Sequence, residues 1–317
     1  MTSPERPSGT GWTRLARRTA AQLKRAGNSV AGSIAVLLLK AIRRTDPDRI
    51  ADFAGGVLRK LGPWLPEHRI GRANLQAAFP EKSAAEIELI LAGVWDNLGR
   101  VGAEFAHLDR LWDFDPERLR PGRLDIPPDA MERFRRLRDD GKPALIFSAH
   151  LANWELPVVT AAAYGLDSAI LYRAPSIGDI AKAIQQIRAL HVGTLIPAGL
   201  DATFKLSSAL ERGAHVGMFV DQHFSRGVDV IFFGRRCKAN PMLARLARHF
   251  DCPIHGVRVI RLPEHRFRVE LSEPVAPARA DNGDIDVQGT MQRITTVVEG
   301  WVREHPEQWL WLHRRWR

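Results

Sequence analysis

A histidine and a glutamate stand five residues apart, directly after an apolar segment of the chain. The segment PALIFS covers residues 143–148, and the following AHLANWE carries His150 and Glu155. A short, continuous apolar run is typical of a strand in a sheet that is covered on both faces. Because open α/β sheets bind ligands beyond the carboxyl ends of their strands, this position favours a chemical role for His150.

His150 and Glu155 are suited to be a general base and the carboxylate that orients it. On a straight helix, residues five apart point about 140° away from each other, so the pair meets only if His150 lies on a turn and Glu155 begins the helix. The carboxylate would then set the tautomer of the ring and stabilise the imidazolium. A structural histidine bonded to a backbone carbonyl is also compatible with this spacing.

Three further polar residues follow predicted strands. Arg173 comes after an apolar segment, and Asp221 and Gln222 come after another. A guanidinium can hold a phosphate or carboxylate, or stabilise an oxyanion together with backbone donors after the His150 strand. Asp221 could pair with Arg173 and hold it in place. Each residue alone is compatible with a structural role, and their convergence on one sheet edge favours a site.

Motifs for metal and nucleotide binding do not occur in the sequence. It contains neither His-Glu-x-x-His nor a paired-cysteine motif, and neither a Walker A loop nor Gly-x-Gly-x-x-Gly. We therefore expect no metal and no nucleotide cofactor. The two cysteines, Cys237 and Cys252, do not suggest a disulfide framework.

Apolar strand patterns and helical patterns alternate through the chain, which predicts an α/β fold. We expect a mostly parallel central sheet flanked by helices. The predicted strands are 143–148, 169–172, 194–197, 215–220, 228–233, and a hairpin of 253–262 with 267–271. The predicted helices include 128–140, 177–190, 202–212, 241–250 and 285–304.

The N-terminal region is basic and partly apolar. Residues 6–45 contain no acidic residue and nine Arg and Lys, and an apolar run extends over 30–42. A helix of that length spans roughly 20 Å, short of the hydrocarbon core of a bilayer. We divide the chain into a flexible basic N-terminus (1–28), a membrane-associated helix (29–45) that lies on or partly enters the membrane, and one domain (46–317). A buried core helix and a signal peptide are the alternatives.

The charge balance points to a polyanionic partner. Lys and Arg number 46 against 36 Asp and Glu, a net charge of +10 over 317 residues. Nucleic acid, an anionic membrane surface and an acidic carrier protein all fit this charge. No zinc-finger spacing or RNA-binding motif supports nucleic acid. The C-terminal tryptophans beside arginines predict either an interfacial patch or packing onto the core; they are Trp309, Trp311 and Trp316.

Several of these segments together resemble the lipid A biosynthesis (lauroyl/myristoyl) acyltransferases, within the wider superfamily whose motif is His, four residues, then Asp or Glu. The similarity extends from about residue 30 to 315. The segments are RANLQAAFPEKS, DNLGRVGAEF, SAHLANWE, LYR, FVDQ followed by FFG, and PEQWLWLHRRWR. Many relatives in the wider superfamily have Asp at the position of Glu155.

The resemblance implies an acyltransferase domain over 46–317. His150 would be the general base, and Glu155 would orient it and stabilise its charged form. Arg173, Asp221 and Gln222 would belong to the substrate pocket, and Asn153 of the motif is placed there as well. The implied reaction moves a fatty acyl chain from acyl carrier protein to a glycolipid hydroxyl, without metal or nucleotide, at the cytoplasmic face of the bacterial inner membrane.

Alternatives remain open at this point. A related branch acylates mannosylated phosphatidylinositol in actinobacteria. A hydrolase that releases free fatty acid would need only water in place of the acceptor hydroxyl. A basic protein that binds membranes or nucleic acid without chemistry is the alternative outside the enzymes.

Overall fold

The structure is a computed structural model that describes residues 37–113, 115, 122–173 and 193–316. Its strands are β1 (Leu124–Asp125), β2 (Leu145–Ser148), β3 (Ser168–Tyr172), β4 (Thr194–Pro197), β5 (His215–Phe219), β6 (Val228–Phe232), β7 (Arg235–Ala239), β8 (Ile254–Leu262) and β9 (Arg266–Leu271). Its helices are α1 (Pro47–Leu61), α2 (Pro66–Ala78), α3 (Ala84–Glu104), α4 (Leu108–Leu111), α5 (Pro128–Asp139), α6 (Leu156–Ala163), α7 (Ala202–Glu211), α8 (Met242–Phe250) and α9 (Val287–Glu304).

The main sheet of the described residues has seven strands in the order β1-β9-β8-β2-β5-β3-β4. Every neighbouring pair is parallel except β8 and β9, which form an antiparallel hairpin. The strand β2 therefore lies in the middle of the sheet, with β8 on one side and β5 on the other. This arrangement confirms the prediction of an α/β fold with a mostly parallel central sheet.

Two apolar layers cover the faces of the sheet. One contains α5 and α6, whose inward residues include Phe134 and Val159. The other contains α7, α8 and α9 and also takes the apolar stripe of α3, including Ile87 and Leu91. Burial on both faces explains why β2 is continuously apolar in sequence.

Local signals set the ends of the N-terminal helices. The side chain of Asp46 accepts hydrogen bonds from two backbone N–H groups at the start of α1, and Pro47 is the first helical residue. Ser83 and Glu86 form a reciprocal capping box at the start of α3. Both signals are local and are visible in the sequence.

The C-terminal segment returns from α9 across the sheet edge. Trp309 and Trp311 are almost completely buried and pack edge-to-face with ring centroids 4.7 Å apart. Trp316 is half-buried and stacks on Phe232 at 5.7 Å. The tryptophans thus belong to the core, and the interfacial alternative was wrong for Trp309 and Trp311.

Some sequence predictions differ from the structure or fall outside it. The predicted helix 177–190 lies outside the described residues, as do residues 1–28 and 29–36 of the N-terminal region. Residues 37–42 are helical. Within the described part of the chain, no helix combines the length and apolarity needed to cross a bilayer. The sequence did not predict β7, which pairs with β6 as a separate two-stranded sheet.

Candidate active site

The strand pairing brings His150 and Asp221 together. Strands β2 and β5 are parallel neighbours, and Ser148 is aligned with Phe219. His150 lies two residues after Ser148, and Asp221 lies two residues after Phe219. Adjacent strands lie about 4.8 Å apart, so the two side chains start within bonding reach at the carboxyl edge of the sheet.

Asp221 binds the histidine through both its ring and its backbone. The Nδ1 atom of His150 lies 2.8 Å from Oδ1 of Asp221, and the backbone N–H of His150 donates to Oδ2 at 2.7 Å. An ionised carboxylate only accepts hydrogen bonds, so Nδ1 carries the proton. The lone pair of the neutral ring is then at Nε2, where a general base needs it.

The Asp221 carboxyl group is held in its ionised form. Its side chain has no exposed surface, whereas the ring of His150 is 15% exposed. Burial by itself would raise the pKa of Asp221, but attraction to His150 and the hydrogen bonds from its ring and backbone outweigh burial and lower the pKa below its usual range. A negative charge therefore faces the protonated side of the imidazole.

The C-terminal segment completes the surroundings of Asp221. The indole Nε1–H of Trp309 donates to Oδ2 of Asp221 at 2.8 Å. The backbone of the same segment pairs with the loop after β2, since Leu310 N donates to the carbonyl of His150 at 3.1 Å and Leu151 forms a bridge with Trp309. Chain segments distant in sequence thus fix the histidine loop.

The loop after β2 has an unusual backbone at Ala152. Its φ of 46° lies in the left-handed region that residues with a Cβ rarely adopt. Hydrogen bonds hold it there: Ala152 N donates to the carbonyl of Gln308 at 3.0 Å, and the Asn97 side chain donates to the carbonyl of Ala152 at 3.3 Å. Such local strain persists where the surroundings impose it, often at functional sites.

Three backbone donors in the loop after β2 are already used within the protein. The N–H groups of His150, Leu151 and Ala152 donate to Asp221, to the carbonyl of Ala149 and to the carbonyl of Gln308, respectively. These three donors are therefore occupied within the protein.

Asn153 is held inside the loop by hydrogen bonds, and its place in a substrate pocket stays a prediction. It has no exposed surface, and its amide donates to Oε2 of Glu104 at 2.9 Å while its Oδ1 accepts from the backbone of Glu155 at 3.2 Å. Glu104 in turn pairs with the guanidinium of Arg261, whose Nε–H donates to Asn97 at 2.9 Å. This buried polar network ties the loop to α3 and β8.

Glu155 is the residue just before α6 and is buried. It lies on the same loop as His150, at the turn between strand and helix that its spacing required. The hydrogen bond to Nδ1 that we assigned to Glu155 is made by Asp221. The participation of Glu155 in the base therefore remains a prediction.

Arg173 and Gln222 lie at the same sheet edge. Pairing of β3 with β5 aligns Leu171 with Met218, so Arg173 is level with the residue before Asp221. The side chain of Arg173 is exposed, and the Asp221 oxygens bind His150 and Trp309 instead of the arginine. The amide nitrogen of Gln222 lies 3.4 Å from Nε2 of His150, a long contact on the open side of the ring.

Aromatic side chains flank the histidine. The Phe219 ring centroid is 4.5 Å from that of His150, and the Trp154 ring meets it edge-on at 5.4 Å. These rings restrict the plane of the imidazole, and the hydrogen bond to Asp221 places Nδ1 on that side. The sequence contained one signal for the pairing of His150 with Asp221, since each follows an apolar strand. Only the strand order shows that these two strands are neighbours.

Fold and site together define an α/β protein with a buried carboxylate that orients a histidine at the carboxyl edge of a parallel sheet, an arrangement suited to proton abstraction. The model of the bacterial lipid A biosynthesis acyltransferase family matches residues 22–317. Because the match covers most of the chain, the protein belongs to this family and is an acyltransferase. A search of curated proteins returned no match.

Proposed function

We propose that the protein transfers a fatty acyl chain from acyl carrier protein to a hydroxyl of a lipid A precursor, with His150 as the general base. The observation that carries the proposal is the contact between Nδ1 of His150 and the ionised Asp221, which leaves Nε2 able to accept a proton. Family membership supports the reaction class.

In the first step, Nε2 of His150 takes the proton of the acceptor hydroxyl, and the hydroxyl oxygen attacks the thioester carbonyl. A positioned base of this kind contributes roughly 10²–10⁴ in rate. Asp221 stabilises the imidazolium that forms, because its carboxylate is ionised and carries a negative charge beside Nδ1. Gln222, near Nε2, marks the space where the hydroxyl would lie.

The tetrahedral intermediate then collapses by breaking its carbon–sulfur bond. The imidazolium returns its proton from Nε2 to the departing sulfur, so the histidine ends each cycle neutral. Arg173 is the candidate donor for the oxyanion because the N–H groups of His150, Leu151 and Ala152 are occupied. Glu155 is proposed to add a second negative charge near the imidazolium.

The proposed partners are acyl carrier protein, a glycolipid acceptor and the cytoplasmic face of the bacterial inner membrane. The support is electrostatic: the chain has a net charge of +10, whereas the carrier, the phosphorylated acceptor and the lipid headgroups are acidic. The basic, apolar N-terminal region would contribute to the membrane contact.

The proposal is tested by supplying labelled acyl carrier protein and a tetra-acylated lipid A precursor in detergent micelles to the wild type and to His150→Ala. We expect acylated lipid only with the wild type. A matched control is His249→Ala, which removes an exposed histidine on α8 and should retain full activity.

The other products have definite meanings. Free fatty acid without acylated lipid would indicate a hydrolase, or an acceptor of another class such as a mannolipid. Equal transfer by wild type and His150→Ala would exclude His150 as the base. Absence of turnover by folded wild type with either acceptor would contradict the proposed reaction.

A further inference from the structure

A narrow apolar cavity lies between the sheet and the two helices α5 and α6. Its walls include Ile146, Ile170 and Gly217 from the sheet, with Phe134 and Pro157 from the helices. We call it the α5–α6 channel. Its surface is almost entirely apolar, which favours a hydrocarbon over any polar ligand.

One end of the channel reaches the candidate base. Phe219 lines the channel and also contacts the ring of His150, with centroids 4.5 Å apart. Ser148, two residues before His150, lines it as well. A chain in the channel would therefore end beside the place where the proton is abstracted.

The opposite end carries two polar groups. Ser168 and His215 both line the channel and are aligned partners on β3 and β5. The Ser168 Oγ and the His215 Nδ1 are buried and have no hydrogen-bond partner among the described residues. Burial lowers the pKa of His215 and keeps it neutral. A hydrocarbon chain cannot form hydrogen bonds with these polar groups, so it would stop before them. We call this end, at Ser168 and His215, the floor of the channel.

The dimensions suit a single chain. From Phe219 to His215 the strand advances about 13 Å, at about 3.3 Å per residue. The volume that the centre of a water molecule can occupy in the channel is about 50 Å³. Spread evenly over this length, that volume is a path about 2.2 Å wide for the centre of a water molecule. Adding the radius of water, roughly 1.4 Å, on each side gives a channel about 5 Å across. This is the width of one extended hydrocarbon chain, whose carbons keep about 4 Å from wall atoms.

Gly217 keeps the middle of the channel open. It is aligned with Ile170 on the neighbouring strand, and a Cβ on Gly217 would lie 2.7 Å from Cδ1 of Ile170. That distance is far below a normal carbon–carbon contact of about 3.5–4.0 Å. Any larger side chain at this position would therefore narrow the channel about halfway between Phe219 and the floor.

We propose that the α5–α6 channel holds the acyl chain of the donor, and that Gly217, opposite Ile170, determines how long a chain can enter. The inference rests on the proposed acyl transfer and adds a residue that sets its chain-length specificity. An extended hydrocarbon advances roughly 1.3 Å per carbon, so about ten carbons reach from Phe219 to the floor. The preferred donor is therefore a chain of medium length.

The experiment compares transfer rates for acyl carrier proteins that carry saturated chains from about four to about sixteen carbons, a range that brackets both the position of Gly217 and the length of the channel. Gly217→Ala should reduce transfer of the longer chains at least about tenfold relative to the shortest, since one misplaced methyl group commonly costs that much. Ile170→Val removes the Cδ1 atom that the new Cβ would meet. The double variant should therefore recover the longer chains.

His215→Ala tests the floor in the opposite direction. Removing the imidazole lengthens the channel, so the preferred chain should become longer, a gain that misfolding cannot produce. Gly256→Ala is the matched control for damage to the sheet. Its Cβ would lie 2.7 Å from Phe147 and 2.8 Å from Trp301, away from the residues that line the channel. Its chain-length profile should equal that of the wild type.

An equal loss across all chain lengths in Gly217→Ala, without recovery in the double variant, would overturn the inference. If the wild type transfers no acyl chain, the proposed function fails, and the channel is tested separately by thermal stabilisation with free fatty acids of the same lengths. Stabilisation that depends on chain length in the wild type and moves to shorter chains in Gly217→Ala would support the channel. Stabilisation independent of chain length would overturn it.

Discussion

The indole nitrogen of Trp309 and the carboxylate of Asp221 lie 2.8 Å apart, although 88 residues separate them in the chain. This hydrogen bond joins the C-terminal segment to the carboxylate that orients His150. The C-terminal tryptophan is therefore part of the support of the candidate base, and this link can be tested by removing a single donor.

Trp309→Phe retains the buried aromatic ring and removes the N–H donor to Asp221. Because one hydrogen bond to a buried charged group is lost, we expect a stability loss of about 1.5–3 kcal/mol and a lower kcat. Denaturant unfolding and steady-state kinetics measure both. Trp316→Phe is the control, since it removes a 3.2 Å hydrogen bond to a backbone carbonyl away from Asp221. A kcat loss as large in the control would contradict the link.

Asp221→Asn and Glu155→Gln distinguish the two carboxylates near the base. An amide at position 221 can no longer fix the proton on Nδ1 of His150, so we expect a kcat loss of roughly 10²–10⁴ in a folded protein. Glu155→Gln should cost less, because Asp221 makes the hydrogen bond to Nδ1. Single-turnover rates provide the comparison. A larger loss in Glu155→Gln would make Glu155 the orienting group.

Glu104→Gln tests the buried network beneath the histidine loop. The side chain of Glu104 is 4% exposed and that of Arg261 is 13% exposed, so the substitution leaves a largely buried guanidinium without its counter-charge. Loss of one partner of such a pair costs about 3–5 kcal/mol. Chemical denaturation measures the loss. Asp139→Asn breaks an exposed pair with Arg138 and should leave the free energy of unfolding almost unchanged.

Buried histidines predict that the protein loses stability in mild acid. Burial is the main cause that lowers the pKa of four of them below the ordinary value of 6.5, namely His107, His215, His255 and His313. Below about pH 6.5 the unfolded chain therefore binds more protons than the folded protein, and the free energy of unfolding falls as pH falls.

Thermal unfolding between about pH 8 and pH 5 measures this dependence, and we expect the melting temperature to fall by several degrees on the acid side. His255→Gln removes one buried titrating group and should flatten the slope. His249→Gln changes an exposed histidine and should leave the slope unchanged. A slope that is the same in His255→Gln and the wild type would contradict the assignment.

Much of the fold could be predicted from the sequence because its signals are local. The capping box of Ser83 and Glu86 and the apolar run before His150 act over a few residues, and the helix and strand they predict are present. The β6–β7 hairpin was missed because Arg235–Ala239 is mostly polar, so the strand has no apolar pattern of its own. Its pairing with β6 is a tertiary interaction.

The candidate site could be predicted only in part. The position of His150 beyond a buried strand follows from the local pattern, but the partner of its Nδ1 does not. Glu155 is near in sequence, whereas Asp221 is near in space because β5 is the neighbour of β2. Strand order is not available from the sequence alone, so the sequence could not show that Asp221 pairs with His150 and not with Arg173.

The sequence by itself therefore determined most of the helices and strands, the residues at the strand ends and the family resemblance, since each depends on side chains within a short stretch. The tertiary structure decided the order of the strands, the burial of Trp309 and the channel that Gly217 leaves open. These depend on how two apolar layers pack on the sheet, and packing brings together residues whose separation in sequence has no bearing on their contact.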